Sequence, residues 1–293
     1  MNFKKIELND AELLMPFLKD ADELTCEISF INLLLWQPLY NNCYCIDEGI
    51  LYIKSHSDNT EIYSLPFGDI KKAMEKIKEH SSRQAPVIWA QQGKRFEEFK
   101  SIYGDCYDIT ESRNEFDYIY NTTDLINLSG KKYHSKRNHI SAFGKLFDWH
   151  YEDISQNNIE SVKKCADAWY AQSSTRMDEE LKTEMNGINL MLDNMQKLGI
   201  KGGAITVDDN VVAFTLGSPI NDSVYDIHIE KALDEYEIAY SVINREFAAH
   251  NLSSYKYINR EDDLGIEGLR RAKLSYHPQI LLPKYVCTEK ESL

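Results

Sequence analysis

The sequence predicts an α/β (α+β) fold built as two tandem units, 1–127 and 128–293. Segments with period-2 apolar spacing alternate with segments of helical spacing along the whole chain. That alternation runs through twice, with no low-complexity linker in between. The 293 residues, 43% hydrophobic and 11% aromatic, suffice for two cores of ordinary size.

In the first unit a helix is expected near Asp10–Asp20, then an apolar segment at Ile28–Tyr40. "CYCIDEGILYIKSH" reads as two strands joined at Glu48-Gly49, with "EIYSLPF" a third. "GDIKKAMEKIKEH" sets Ile70, Met74 and Ile77 on one helical face. "APVIWA" is a short buried strand, "KRFEEFKSIY" a helix and "EFDYIYN" the strand that closes the unit. In the second unit "FDWHYEDI" is a strand, and "SQNNIESVKKCADAWYAQSS" a helix with Ser155 as its N-cap. A further helix covers Glu179–Leu198, and "KGGAITVDDNVVAFTLGSPI" is a hairpin turning at Asp208-Asp209-Asn210. The strand "SVYDIHIEKA", the helix "EIAYSVINREFAAH", the strand "YKYINRE", the helix "IEGLRRAKLSY" and a last strand near "ILLPKYVC" follow.

Charge narrows the partners. Thirty-three basic residues against 47 acidic ones leave a formal charge of −14, a field that repels DNA and anionic membrane at long range. The first residues hold no apolar core of signal-peptide length, and the most apolar run, "ISFINLLLWQPLY", is too short and too polar for a membrane span. A cytoplasmic protein without an integral membrane segment is the expectation. The six cysteines include no CxxC pair and no zinc-type spacing, so thiols in a reducing compartment are expected.

Against that background "LSGKKYHSKRNHISAF" stands out, with Lys131, Lys132, Lys136, Arg137, two histidines and no acid. A helix capped by Ser129 would carry these cations on its first turns, against its macrodipole. An anion held by free N–H groups with Lys132, His134, Lys136, Arg137 and Asn138 would explain the pattern. A solvated basic face balancing acids elsewhere is the alternative.

Two further stretches carry candidate chemistry. In "VYDIHIEKA", strand alternation sets Asp226, His228 and Glu230 on one face, where they could ligate a metal or transfer a proton; they are spread too far for easy joint chelation, so a polar strand face with one cleft-lining residue, and no metal, is expected. In "INREDDLGIEGLRRAKLSYHP", Asn259, Arg260, Glu261 and Asp262 follow a strand, and Arg270 and Lys273 share a helix face. Such a cluster at a strand end suits a zwitterionic or amine substrate, or is an ordinary charged loop. His228 and Tyr240 complete the substrate-binding candidates. The chain lacks GxxxxGK[ST], GxGxxG after a strand, HExxH and GxSxG, leaving nucleotide hydrolysis, dinucleotide redox chemistry, zinc proteolysis and serine hydrolysis without support.

From about Gly202 onward the order of elements resembles the closing half of a GNAT-type acyltransferase. More closely, "NLSGKKYHSKRNHISAF" with "INREDDLGIEGLRRAKLSYHP" resembles the family related to the C-terminal domain of phosphatidylglycerol lysyltransferase. The resemblance implies two tandem GNAT-like domains, akin to the Fem-type aminoacyltransferases, each a mixed, largely antiparallel sheet flanked by helices. It also implies transfer of an amino acid from an aminoacyl-tRNA, whose acceptor end would be bound, to a small-molecule or carrier-bound amine or hydroxyl. Lys273 and Arg270 would then hold the acceptor end or polarise the ester, and Glu230, Glu261 or Asp262 would hold the donor's amino group. An acyl-CoA donor is the alternative, although "KALDEYEIAY" puts Asp234, Glu235 and Glu237 where a pyrophosphate would need a glycine-rich turn. A non-catalytic GNAT-like ligand-binding module is the third reading.

Overall fold

The structure, a computed structural model, describes residues 1–21, 23–57, 60–81, 86–173 and 179–290. Among the described residues, fourteen strands form two mixed sheets of seven. In the first sheet β1 (Lys4–Lys5), β2 (Cys43–Asp47), β3 (Ile50–Ser57), β4 (Thr60–Ser64), β5 (Val87–Gln91) and β6 (Tyr107–Glu111) come from the N-terminal part of the chain. The second sheet uses β7 (Asp117–Asn121), β8 (Trp149–Asp153), β9 (Lys201–Val207), β10 (Asn210–Pro219), β11 (Val224–Ala232), β12 (Tyr257–Asn259) and β13 (Ile280–Leu282). The last strand, β14 (Lys284–Glu289), returns to the first sheet, giving the orders β1-β2-β3-β4-β5-β14-β6 and β13-β7-β12-β11-β10-β9-β8.

Two differences from the expected layout follow. The expected single boundary at 127/128 is replaced by one unit of Met1–Asp117, Asp262–Leu269 and the chain from Leu281, and another of Tyr118–Glu261 with Arg270–Ile280. "EFDYIYN" does not close the first unit. Its Ile119, Tyr120 and Asn121 pair with Asn259, Ile258 and Tyr257 of β12, and Tyr118 and Tyr120 join the core of Tyr225, Ile227 and Phe247. The expected final strand is two strands broken at Pro283, which has no N–H to donate.

In the first unit the Ile70–His80 helix, capped by the Asp69 carboxylate accepting from the Lys72 N–H (2.9 Å), buries Met74 and Ile77 against Tyr52, Tyr63 and Ile88. In the second, the Ala239–Asn251 helix supplies Val242 and Ile243 to one core cluster and Phe247 to another. Val211–Ser218 of β10 is buried without interruption, as a central strand covered on both faces must be. The expected Glu179–Leu198 helix is interrupted, as Glu179–Asp193 and Met195–Leu198. Ser155 opens a turn, and the helix begins at Ile159; the last residue expected in it, Ser174, lies outside the described residues.

One irregularity positions the site. Leu216 pairs with Ile229 but Gly217 pairs with Ile227, so His228 is an extra residue on β11. This β-bulge shifts the alternation by one. Tyr225 and Ile227 pack with Phe247 of the Ala239–Asn251 helix before it; Glu230 and Ala232 face the same helix after it. Asp226 and His228 therefore point away from Glu230, and the expectation that the three share a face is corrected. Gly217 permits the bulge, because a Cβ there would lie 2.2 Å from the Asp226 carbonyl oxygen. Gly217→Ala is expected to cost about 1–3 kcal/mol, read as a lower urea midpoint at unchanged slope.

Candidate active site

The bulge turns Glu230 toward Arg260, the residue that follows β12. Arg260 Nη2 donates to Glu230 Oε1 (2.6 Å), and Asn244 Nδ2 from the Ala239–Asn251 helix donates to Oε2 (3.0 Å). The Arg260 backbone is held by its N–H donating to the Tyr118 carbonyl (3.0 Å). Its guanidinium lies 4.8 Å from the Tyr276 ring centroid and 5.8 Å from that of Tyr120. With the pair made, Arg260 Nη1 and Asn244 Oδ1 are still buried without a hydrogen-bond partner among the described residues. A buried guanidinium N–H left this way is costly unless a ligand takes it.

Lys136 reaches the same place. It lies on the His134–Leu146 helix, with Nζ 3.8 Å from the centroid of Tyr276. Burial lowers its pKa to about 8, Arg260 pushes in the same direction, and Glu230 opposes them. Two cations thus lie against one aromatic ring, and the Glu230 carboxylate acts on the charge of both. Tyr276 is fixed by its carbonyl accepting from the buried Tyr133 hydroxyl (3.1 Å), and its own hydroxyl donates to Ser241 Oγ (3.4 Å). Tyr240 is also close enough to feel Glu230; its phenol is pushed up to about 12, mainly by burial.

The rest of the basic segment does something else. Gly130, at φ 85, makes a turn; a short 3-10 turn covers Lys131–Tyr133, and the α-helix begins at His134. Ser129 is therefore not its N-cap. Lys132 pairs with Asp124 (3.2 Å), and Arg137 donates to the carbonyls of Leu128 and Gly130 (2.8 Å to the latter). His134 Nε2 and Asn138 Nδ2 are 3.1 Å apart on the exposed face. Lys136 alone of the five proposed donor-binding residues is seen beside Arg260 and Glu230.

The remaining candidates spread around this centre. Lys273 is buried, its Nζ donating to the Arg260 carbonyl (2.5 Å) with the Tyr118 ring 5.8 Å away, so it props the Arg260 backbone. Tyr120 ties the same helix down by donating to the Lys273 carbonyl (2.8 Å). Asn259 is fully buried and accepts from the Glu261 N–H (2.7 Å). Glu261 Oε1 lies 3.2 Å from His228 Nδ1, on the side away from Glu230. Arg270 is half-buried on the Glu267–Leu274 helix. Asp262 falls in the first unit, where its Oδ1 accepts from the Leu264 N–H (3.1 Å). Asn244, Tyr276 and Tyr120 belong to the site and were not singled out. Tyr276 sits inside "GLRRAKLSYHP", where charge marks its neighbours and not the ring, and Asn244 carries no local signal.

Residues 19–288 match the family described as phosphatidylglycerol lysyltransferase, C-terminal. The chain belongs to that family. A conserved protein of unknown function from Bacteroides thetaiotaomicron is 34% identical, with a TM-score of 0.92 over 99% of this chain and 100% of that one. The L-PGS of Bacillus licheniformis has the same fold, with a TM-score of 0.67 at 13% identity over 99% of this chain and 94% of its own. An uncharacterized protein of Mycoplasmoides gallisepticum is 25% identical over 89% of this chain and 81% of its own. Family membership bears out the resemblance carried by "NLSGKKYHSKRNHISAF" and "INREDDLGIEGLRRAKLSYHP". Among the described residues of this member, no helix is long and apolar enough to cross a membrane.

Proposed function

We propose that the protein is an aminoacyltransferase whose reaction takes place in the second unit, between Lys136, Arg260 and Glu230. The observation that carries this reading is the buried Arg260 Nη1 without a partner among the described residues, beside a lysine whose pKa is lowered to about 8. The proposed donor is the aminoacyl ester at a tRNA 3′ end. Its carbonyl oxygen accepts from Arg260 Nη1, which then stabilises the oxyanion. Neutral Lys136 takes the proton of the attacking amine or hydroxyl and returns it to the departing ribose oxygen. Glu230 keeps lone pairs free beyond its bonds to Arg260 and Asn244, and these accept from the donor's α-ammonium. Lys273 acts through the Arg260 backbone as a positioning residue. A family whose name is that of a lysyltransferase supports the aminoacyl donor. The exposed acids Asp234, Glu235 and Glu237 ahead of the Ala239–Asn251 helix argue against a CoA pyrophosphate at that helix.

The pH profile tests the role of Lys136. With an aminoacylated RNA minihelix as donor and phosphatidylglycerol in mixed micelles or hydroxylamine as acceptor, kcat/KM is expected to rise with a midpoint near the lysine's pKa of about 8. Lys136→Ala is expected to remove that limb and lower the rate about 10²- to 10⁴-fold. Stability moves in the same direction: the folded chain releases the Lys136 proton before the unfolded chain does, so this group makes folding more favourable as pH rises from about 8 to 10.5. A rate profile identical in wild type and Lys136→Ala would remove the base from the mechanism. Turnover with acyl-CoA but not with the minihelix would reassign the donor, and binding without turnover would make the protein a ligand sensor.

A further inference from the structure

We propose that Asp226, His228 and Glu261 form a binding site for a divalent transition metal of the zinc class. The site is distinct from the Lys136–Arg260 pocket, because the bulge turns Asp226 and His228 away from Glu230. One ligand atom from each of the three residues lies within 4.8 Å of the others. His228 Nδ1 is 3.2 Å from Glu261 Oε1 and 3.5 Å from Asp226 Oδ2. A tetrahedral ion with bonds of 2.0–2.1 Å has ligand-to-ligand edges of about 3.3–3.4 Å, so two of the edges are already the right length.

The surroundings suit a ligand set rather than a chance cluster. His228 Nε2 is 2.8 Å from Ser218 Oγ on β10, and both side chains are buried. If Nε2 carries the hydrogen and donates to Ser218, Nδ1 presents its lone pair toward the two carboxylates. A cation between them turns that repulsion into coordination, and the second nitrogen bonded to an oxygen is the usual way such a histidine is oriented. Glu261 is brought back toward the strand by a left-handed residue, φ 54, whose N–H donates to Asn259 Oδ1 (2.7 Å) and whose carbonyl accepts from the Tyr118 N–H (3.1 Å). The Glu261 side chain is 23% exposed while those of His228 and Asp226 are 1% and 0%. The open coordination position therefore faces out past Glu261. One nitrogen and two carboxylates favour zinc, manganese or ferrous iron over calcium or magnesium.

The test is zinc binding by the full chain after removal of metal with a chelator, followed by calorimetric titration with zinc sulfate and a melting curve at each ratio. One equivalent is expected to bind tightly and raise Tm. Asp226→Asn and Glu261→Gln, which keep size and hydrogen-bonding capacity, are expected to abolish the tight equivalent while leaving the near-ultraviolet circular dichroism of the metal-free protein unchanged. Ser218→Ala is expected to weaken it about 10- to 100-fold. Absence of a tight equivalent in wild type, or its persistence in Glu261→Gln, would overturn the proposal; its persistence in a variant lacking Cys106, the exposed cysteine, supports it by excluding that thiol as the ligand, and its loss there would overturn it.

Discussion

Arg260→Met is expected to slow transfer by about 10²- to 10³-fold, the usual loss when one oxyanion donor is removed. The same change leaves Glu230 buried with Asn244 as its other partner, so folding should also weaken, by about 3–5 kcal/mol for a broken buried pair. The Arg260 and Glu230 side chains are only 13% and 9% exposed, which places the pair in that class. The two effects separate in the double variant Arg260→Met/Glu230→Met. Replacing both charges with apolar groups of similar volume should restore most of the stability and none of the transfer. Arg260→Lys keeps a charge but loses the planar fork that bonds Glu230 while presenting a second nitrogen, and it should behave nearer to methionine than to wild type. Urea unfolding and minihelix turnover on the four proteins decide the matter. Recovery of transfer in the double variant would make the loss a folding effect and remove Arg260 from the chemistry.

Lys284→Met is expected to be the most damaging single change to stability in the first unit, about 3–5 kcal/mol. Lys284 is completely buried, and its ammonium bonds Asp117 Oδ1 (2.7 Å) and Glu27. Asp117 is equally buried and spends its second oxygen on the Cys26 N–H (2.9 Å). Methionine would fill the space and leave Asp117 without its cation. Burial works against the Lys284 charge, yet Asp117, Cys26 and Glu27 outweigh it and raise the pKa well above 10.5. The folded pKa is the higher one, so this stabilisation is fully present below pH 10.5 and fades only as pH climbs through the folded value. Glu27 has the opposite sense for a carboxyl: burial raises its pKa, so its contribution is present below pH 4.5 and declines as pH rises through the raised value. Measured from pH 6 to 10, the gap between wild type and Lys284→Met should be nearly constant. A gap below 1 kcal/mol would mean that Asp117 finds another partner.

What the sequence made legible was set by local physics. Hairpins at Glu48-Gly49 and Asp208-Asp209 carry their own signal, because those turns need left-handed residues and the structure has Glu48, Gly49, Asp208 and Asp209 at positive φ. The helix at Ile70–His80 was equally readable from its spacing and its Asp69 cap. Sheet membership was not. Tyr118–Asn121 and Lys284–Glu289 look like ordinary strands, and only pairing partners more than a hundred residues away decide where they go. The site was half visible: Glu230, Arg260 and Lys136 were marked by charge, but their meeting depends on a bulge opposite Gly217 that no spacing rule announces. The same bulge separates Glu230 from His228 and substitutes Glu261 as its neighbour.

Strand β14 has a consequence for how the chain is made. It lies between β5 and β6 and pairs with both, so an interior strand of the first sheet leaves the ribosome after the strands of the second unit. Everything needed for the second unit's central strands, from Tyr118 to Glu261, is synthesised earlier. Folding in order of synthesis is thus reversed: the half that begins first must wait, with the facing edges of β5 and β6 unpaired, while the later half assembles. A nascent chain stalled before Lys284 should hold a protease-resistant second unit and a protease-sensitive first one.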